Sequence, residues 1–203
     1  MAAQQPNLSL GLELGSRHGG LSYFFAKKYG ANLYCSDYEF PSEKAKQLHK
    51  TEDIAHQITY HDVDATKIPF KDETFDFVVF KSMLGAIGAR EQFFKIKKAM
   101  EEIHRVLKPG GVLFFAENLR GSWLHKQSRA MFIPWGKSWY YLSLLEINDL
   151  LEIFSDKEIR FTGFSAAFVP KPLWLKNAAA AIDERLYFLP NSWKYVTYGH
   201  AIK

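Results

Sequence analysis

The chain has a single cysteine, Cys35, among its 203 residues. An internal disulfide is therefore excluded, and a reducing compartment is expected. The sequence also lacks an apolar run long enough to span a bilayer and a basic, apolar, small-residue leader, so the expected location is cytoplasmic. Tryptophan is missing from the first 117 residues; all five (Trp123, Trp135, Trp139, Trp174, Trp193) come later. That first stretch has no charge excess either, with 15 Lys/Arg against 15 Asp/Glu. Residues 118–203 hold 11 against 7 and carry the whole net charge of +4. So small an excess gives no strong nucleic-acid signal, and no RNA-binding module is visible. His56 and His61 lie near Asp62 without a third close ligand, so no metal site is expected.

What is present suits one globular domain over 1–203, long enough for a sizeable core. A neutral stretch without tryptophan followed by a basic aromatic one suggests a cofactor-binding half (1–117) and a substrate-facing half (118–203). Packing of the second half would use some of the same aromatics.

Apolar runs predict strands at Leu8–Leu14, Asn32–Ser36, Gln57–Asp62, Phe75–Phe80, Gly111–Glu117, Glu158–Phe164 and Tyr195–Ile202. Helices are expected at Gly20–Tyr29, Ser42–Lys50, Glu91–Leu107, Ser143–Phe154 and Pro172–Leu186, with 118–142 irregular. Ser143 and Glu146 have capping-box spacing. The alternation predicts an α/β fold: a doubly wound, mostly parallel sheet in three αβα layers, with ligands at the carboxyl ends of the strands.

Markers fall at those ends. The run Leu12-Glu13-Leu14-Gly15-Ser16-Arg17-His18-Gly19-Gly20 is a strand, a glycine turn and a helix start, and glycine lets a nucleotide approach the backbone closely. Asp37, with Tyr38 beside it, follows the second strand, where a carboxylate can accept hydrogen bonds from a ribose diol. Asp64-Ala65 follows the third strand, placed to read an adenine edge. Asp76 is expected to cap or orient a strand. The turn is not Gly-x-Gly-x-x-Gly, which argues against the nicotinamide-dependent alternative.

In these blocks, together with Asp64-Ala65-Thr66-Lys67-Ile68-Pro69-Phe70…Phe75-Asp76 and Glu102-Ile103-His104-Arg105-Val106-Leu107-Lys108-Pro109-Gly110-Gly111, the chain resembles the class I S-adenosylmethionine-dependent methyltransferases, most nearly the type 11 methyltransferase domain. The resemblance covers about residues 8–118. It implies a Rossmann-like seven-stranded sheet with an antiparallel last strand. The cofactor would be S-adenosylmethionine and the product S-adenosylhomocysteine. Glu13 would steady the first loop and the cofactor's amino group. Gly15 and Gly19 would shape the turn, Asp37 would bind the ribose, and Asp64 and Ala65 would face the adenine. Lys81-Ser82-Met83 would line the methionine end. Arg17 stands where the family has its middle glycine, and its guanidinium would hold the methionine carboxylate. About seven residues precede the first strand, so the cleft is expected to be open on that side, or covered by the aromatic segment, a second copy or a partner chain.

Methyl transfer is an in-line displacement that needs a base only when the acceptor must lose a proton. Glu117, His125 and His18 are the candidate bases. Phe80-Lys81-Ser82-Met83-Leu84 lacks the Asn/Asp-Pro-Pro-Tyr run used on planar amino groups of bases or glutamine, which points to a small-molecule, glycan- or lipid-linked acceptor. Trp123–Tyr141 mixes Lys126, Arg129 and Lys137 with aromatics, suiting an anionic acceptor or peripheral contact with a membrane. The alternative to an enzyme is an inactive cofactor-binding subunit.

Overall fold

The computed structural model describes residues 7–132, 138–169 and 171–203. Seven strands form one sheet in the order β3-β2-β1-β4-β5-β7-β6. They are β1 (Leu10–Leu14), β2 (Asn32–Asp37), β3 (Ile58–Asp62), β4 (Phe75–Lys81), β5 (Leu107–Asn118), β6 (Asp156–Thr162) and β7 (Val196–Ile202). β1 to β5 pair in parallel, and β7 runs antiparallel to both β5 and β6. The carboxyl ends of β1 to β6 therefore share one edge. The helices are α1 (Gly20–Tyr29), α2 (Glu43–Thr51), α3 (Leu84–Ile87), α4 (Phe93–Val106), α5 (Trp123–Phe132), α6 (Leu144–Leu150) and α7 (Leu173–Asp183).

Two apolar layers hold the sheet. Leu12, Phe80, Ile96, Met100, Ile103 and Leu113 belong to the layer beneath α4 and α6. Phe25, Leu33, Phe77 and Val79 belong to the layer beneath α1. A register shift in β4 between Phe75 and Phe77 sends these two rings into different layers despite their even spacing. Phe77 lies over Gly11, where a Cβ would come within 2.2 Å of the ring. Asp76 orients a strand as expected: Oδ2 accepts from Leu10 N at the start of β1, and Oδ1 pairs with Lys108 at 2.7 Å.

The stretch expected to be irregular contains α5. Its first turn closes on Ser122, whose carbonyl accepts from His125 N and Lys126 N. The aromatics and glycine around it hid a sequence of ordinary helix formers. Trp135 and Lys137 lie outside the described residues. β6 starts two residues earlier than expected, at Asp156, because it aligns with Ile202 of β7. α6 ends at Leu150, four residues early, although its capping box is present at Ser143 and Glu146. Among the described residues, no helix is long and apolar enough to cross a membrane, and no group of three His, Cys, Asp or Glu could hold a metal ion.

Candidate cofactor and acceptor site

The glycine turn after β1 is built for close approach. Gly15 and Gly19 have φ of 66° and 70°, a region where an L side chain is strained. A Cβ on Gly19 would also stand 2.5 Å from His49 Nε2. His49, fully buried on α2, donates from Nε2 to Gly19 O at 2.8 Å, and its Nδ1 faces the Tyr60 hydroxyl at 2.9 Å. Burial holds its pKa below the usual histidine value. Ser42 caps α2 and donates its hydroxyl to Arg17 O at 2.6 Å. His49 and Ser42 thus clamp the turn from α2. His49 left no mark in the sequence, because its partners depend on how α2 lies. Ser42 was legible only as a helix start.

Glu13 braces the turn from below. It is 2% exposed, and Oε2 accepts from Ser22 N at 2.8 Å and from the Ser22 hydroxyl. Burial outweighs these bonds and pushes the carboxyl up to about 7. Cys35 is fully buried in the layer beneath α1, and burial pushes its thiol up to about 12.

The structure brings Arg17, Asp37 and the Asp64 loop together. Arg17 N donates to Asp37 Oδ2 at 2.7 Å, and Tyr38 N donates to Oδ1 at 2.9 Å. Each oxygen keeps a lone pair for a further donor. Asp37 O accepts from Val63 N at 2.9 Å, which carries the chain into Asp64. Asp64 Oδ1 accepts from Thr66 N and its hydroxyl, an Asx turn that fixes the carboxylate at the edge. Ala65 is buried and Tyr38 is 72% exposed. Arg17 has φ of 51°, so it adopts the left-handed conformation of the glycine it replaces. Its guanidinium makes no hydrogen bond or ion pair among the described residues.

Glu102 and Arg105 turn out to be the struts of the Asp64 loop. Glu102 Oε2 accepts from Ile68 N at 2.9 Å. Arg105 donates to Ile68 O and Phe70 O, each at 2.9 Å, and pairs with Glu102 and Asp72. Arg105 holds the Glu102 carboxyl below its usual range.

The candidate bases are placed differently. Glu117, 1% exposed, accepts from Leu84 N at 2.7 Å and from Asn118 N at 2.8 Å. It ties the end of β5 to the start of α3, and burial pushes its pKa up to about 7. His125 is 1% exposed with both ring nitrogens engaged. Nδ1 accepts from Ser122 N at 3.1 Å, and Nε2 donates to Phe164 O at 3.0 Å. With its lone pair spent and its pKa lowered by burial, the ring offers no proton acceptor to a ligand. His18 is exposed in the turn, its Nδ1 3.5 Å from Ser42 Oγ.

Lys81 is exposed and lines an open groove of about 380 Å³ with Phe24, Phe114, Arg160, Tyr198 and His200. Met83 is buried, and its Cγ would be 3.4 Å from a Cβ on Gly15, so it supports the turn. Trp139 packs on Gly85, and Tyr140 N donates to Gly85 O at 2.9 Å. That stretch roofs the exit of β4. Arg129 donates to Leu119 O at 2.8 Å and lies 3.9 Å from the Tyr141 ring centroid, whereas Lys126 is exposed.

These residues fit a nucleoside cofactor. Both glycines hold a φ that strains an L side chain, and the Ser16 hydroxyl between them is buried without a hydrogen-bond partner among the described residues. The profile of the family described as "Methyltransferase domain" matches residues 12–115.

The chain belongs to that family.

The family's cofactor is S-adenosylmethionine. The methyltransferase domain is 29% identical over 107 residues to a glycine/sarcosine/dimethylglycine N-methyltransferase of Actinopolyspora halophila, covering 52% of this chain and 18% of that one. It is 28% identical over 109 residues to a ubiquinone/menaquinone biosynthesis C-methyltransferase of Methylococcus capsulatus, covering 52% and 42%. The chain spans less than half the length of these relatives. Among solved structures, Haemonchus contortus phosphoethanolamine N-methyltransferase 2 in complex with S-adenosyl-L-methionine superposes with a TM-score of 0.68 at 19% identity, covering 99% of this chain and 50% of that one. The [4+2]-cyclase SpnF superposes with a TM-score of 0.66 at 19% identity, covering 98% and 76%. At these identities the likeness shows the fold alone.

Proposed function

We propose that this chain is an S-adenosylmethionine-dependent methyltransferase acting on a small-molecule or glycan- or lipid-linked acceptor, at nitrogen in preference to oxygen. The observation that carries the reading is the turn itself. Gly19 and Arg17 are clamped from α2 by His49 and Ser42, and Asp37 is held 2.7 Å from Arg17 N at the mouth of the turn. Asp37 would accept from the ribose hydroxyls, Asp64 and Ala65 would meet the adenine, and Arg17 would reach the methionine carboxylate. Bound there, the cofactor supplies an electrophilic methyl on its sulfonium.

The chain's part would be to position the acceptor and exclude water, with the Trp139–Tyr140 roof and the Glu117-braced exit of β4 as the walls. His125 has both ring nitrogens bonded and Glu117 is buried with each oxygen accepting from a backbone amide, which favours an acceptor that needs no base, such as a neutral amine. The N-methyltransferases among the relatives support the same preference. Calorimetric titration with S-adenosylmethionine, S-adenosylhomocysteine and NAD tests the reading. Binding of the two sulfur nucleotides alone is expected. NAD binding, or no binding by any of them, would refute it.

A further inference from the structure

α7 has the composition of a buried helix and the exposure of a surface one. Its sequence is LWLKNAAAAID, yet only Ala179 and Asp183 are buried. A helix that is apolar nearly all round is normally covered. Leu173 and Trp174 are each 70% exposed, and Tyr187 and Phe188, just beyond the helix, are 82% and 70% exposed. What fixes α7 is polar. The Asp183 carboxylate accepts from Phe164 N, Ser165 N and Ala166 N, and the Ser165 hydroxyl donates to Ala179 O. The apolar side chains are left facing outward while the helix is held by its C-terminal turn.

Charge and position narrow the occupant. Lys171, Lys176, Arg185 and Lys194 are the cations from 171 to 194, and Glu184 is the exposed anion once Asp183 is spent on those amides. α7 follows the carboxyl end of β6, so it lies on the sheet edge where the glycine turn and Asp37 open. Large exposed apolar and aromatic side chains interspersed along the chain with exposed lysine and arginine match the interface of an anionic bilayer, where tryptophan and tyrosine sit at headgroup level.

We infer that α7 and the turn through Phe188 dock this chain on an anionic lipid surface, with the cofactor edge turned toward the membrane. Leu173, Trp174, Tyr187 and Phe188 enter the headgroup layer, and Lys171, Lys176 and Arg185 meet lipid phosphates.

Co-sedimentation of the full chain with phosphatidylcholine vesicles, with and without phosphatidylglycerol, tests this without cofactor or acceptor, so it stands or falls apart from methyl transfer. Binding to the anionic vesicles only is expected, with a blue shift of tryptophan emission and loss of binding as salt rises from about 0.1 M to about 1 M. Removing each of Lys171, Lys176 and Arg185 should weaken binding about fivefold. Trp174→Ala with Tyr187→Ala and Phe188→Ala should abolish the emission shift while leaving the melting temperature and cofactor affinity unchanged. A chain that stays in solution with anionic vesicles, or variants that bind as the parent does, would overturn the inference. So would self-association lost in the aromatic variant without vesicle binding, which would assign the face to a second copy.

Discussion

Asp37 and Arg17 are neighbours through one short hydrogen bond, and their roles separate by measurement. Asp37→Ala removes the acceptor at the ribose position and the partner of Arg17 N. Cofactor affinity should fall about 10- to 100-fold, the equivalent of a charged hydrogen bond or two. Calorimetry on the folded variant reads it, and unchanged affinity would take Asp37 out of the site. Arg17 is held in a left-handed conformation that costs a non-glycine residue of order 1 kcal/mol. Arg17→Gly should raise the melting temperature and, by removing the guanidinium, weaken cofactor binding several-fold. A stabilised variant with unaltered affinity would make Arg17 a loop residue only. Both residues were legible in the sequence, because a glycine-turn motif fixes local backbone shape and the residue after β2 follows from strand count. The clamp that makes the turn rigid was not, since His49 and Gly19 are 30 residues apart.

At the scale of elements, two motif blocks prove to be one assembly. Glu102 and Arg105 on α4 hold Ile68 and Phe70 after β3, so the Asp64 loop takes its shape from a helix more than 30 residues away. Arg105→Ala would leave the two carbonyls and the Glu102 carboxylate short of partners. It should destabilise the fold by roughly 2–3 kcal/mol and lower cofactor affinity through Asp64. Denaturant unfolding together with calorimetry separates the two effects, and loss of stability alone would leave the loop outside the site. Gly19→Ala meets both an unfavourable φ and the His49 ring. A cost of about 2 kcal/mol or more is expected, with weakened binding. The helix pattern of α4 and the capping box of α6 were readable because both signals act within a few residues. α5 was misread because its start, Ser122, is marked by a hydroxyl and a bonded histidine three residues on and not by an apolar stripe.

Two buried carboxylates whose pKa values rise on folding, Glu117 and Glu13, give the molecule one part of its pH response, and the lowered Glu102 and Asp183 work in the opposite direction. Glu117 rises from 4.5 to about 7 on folding, chiefly by burial. A raised carboxyl pKa means that the folded state holds the proton more tightly than the unfolded chain. Its contribution is therefore complete below pH 4.5 and is lost as pH rises through about 7. The span corresponds to about 3 kcal/mol. Glu13 acts in the same direction over the same window. His49, with its pKa lowered by burial, acts oppositely: its contribution is present above its usual value of 6.5 and lost as pH falls below it. Glu117→Gln should be less stable near pH 4.5, because an amide nitrogen then faces a backbone N–H, and should flatten the decline toward pH 7. Thermal melts of parent and variant across that range check it, and an unchanged slope would mean that Glu117 does not titrate there.

The strand order, the helices other than α3 and α5, the glycine turn, the carboxylate after β2 and the family were present in the linear chain, because each depends on backbone preferences and apolar periods spanning a few residues. The tertiary structure alone decided which polar groups are free to act. Glu117 and His125 were candidate bases on paper, and the partners that hold them lie 33 and 39 residues away, at Leu84 and Phe164. A buried polar group must be satisfied by whatever packing brings near it, and that is set only when the sheet has assembled.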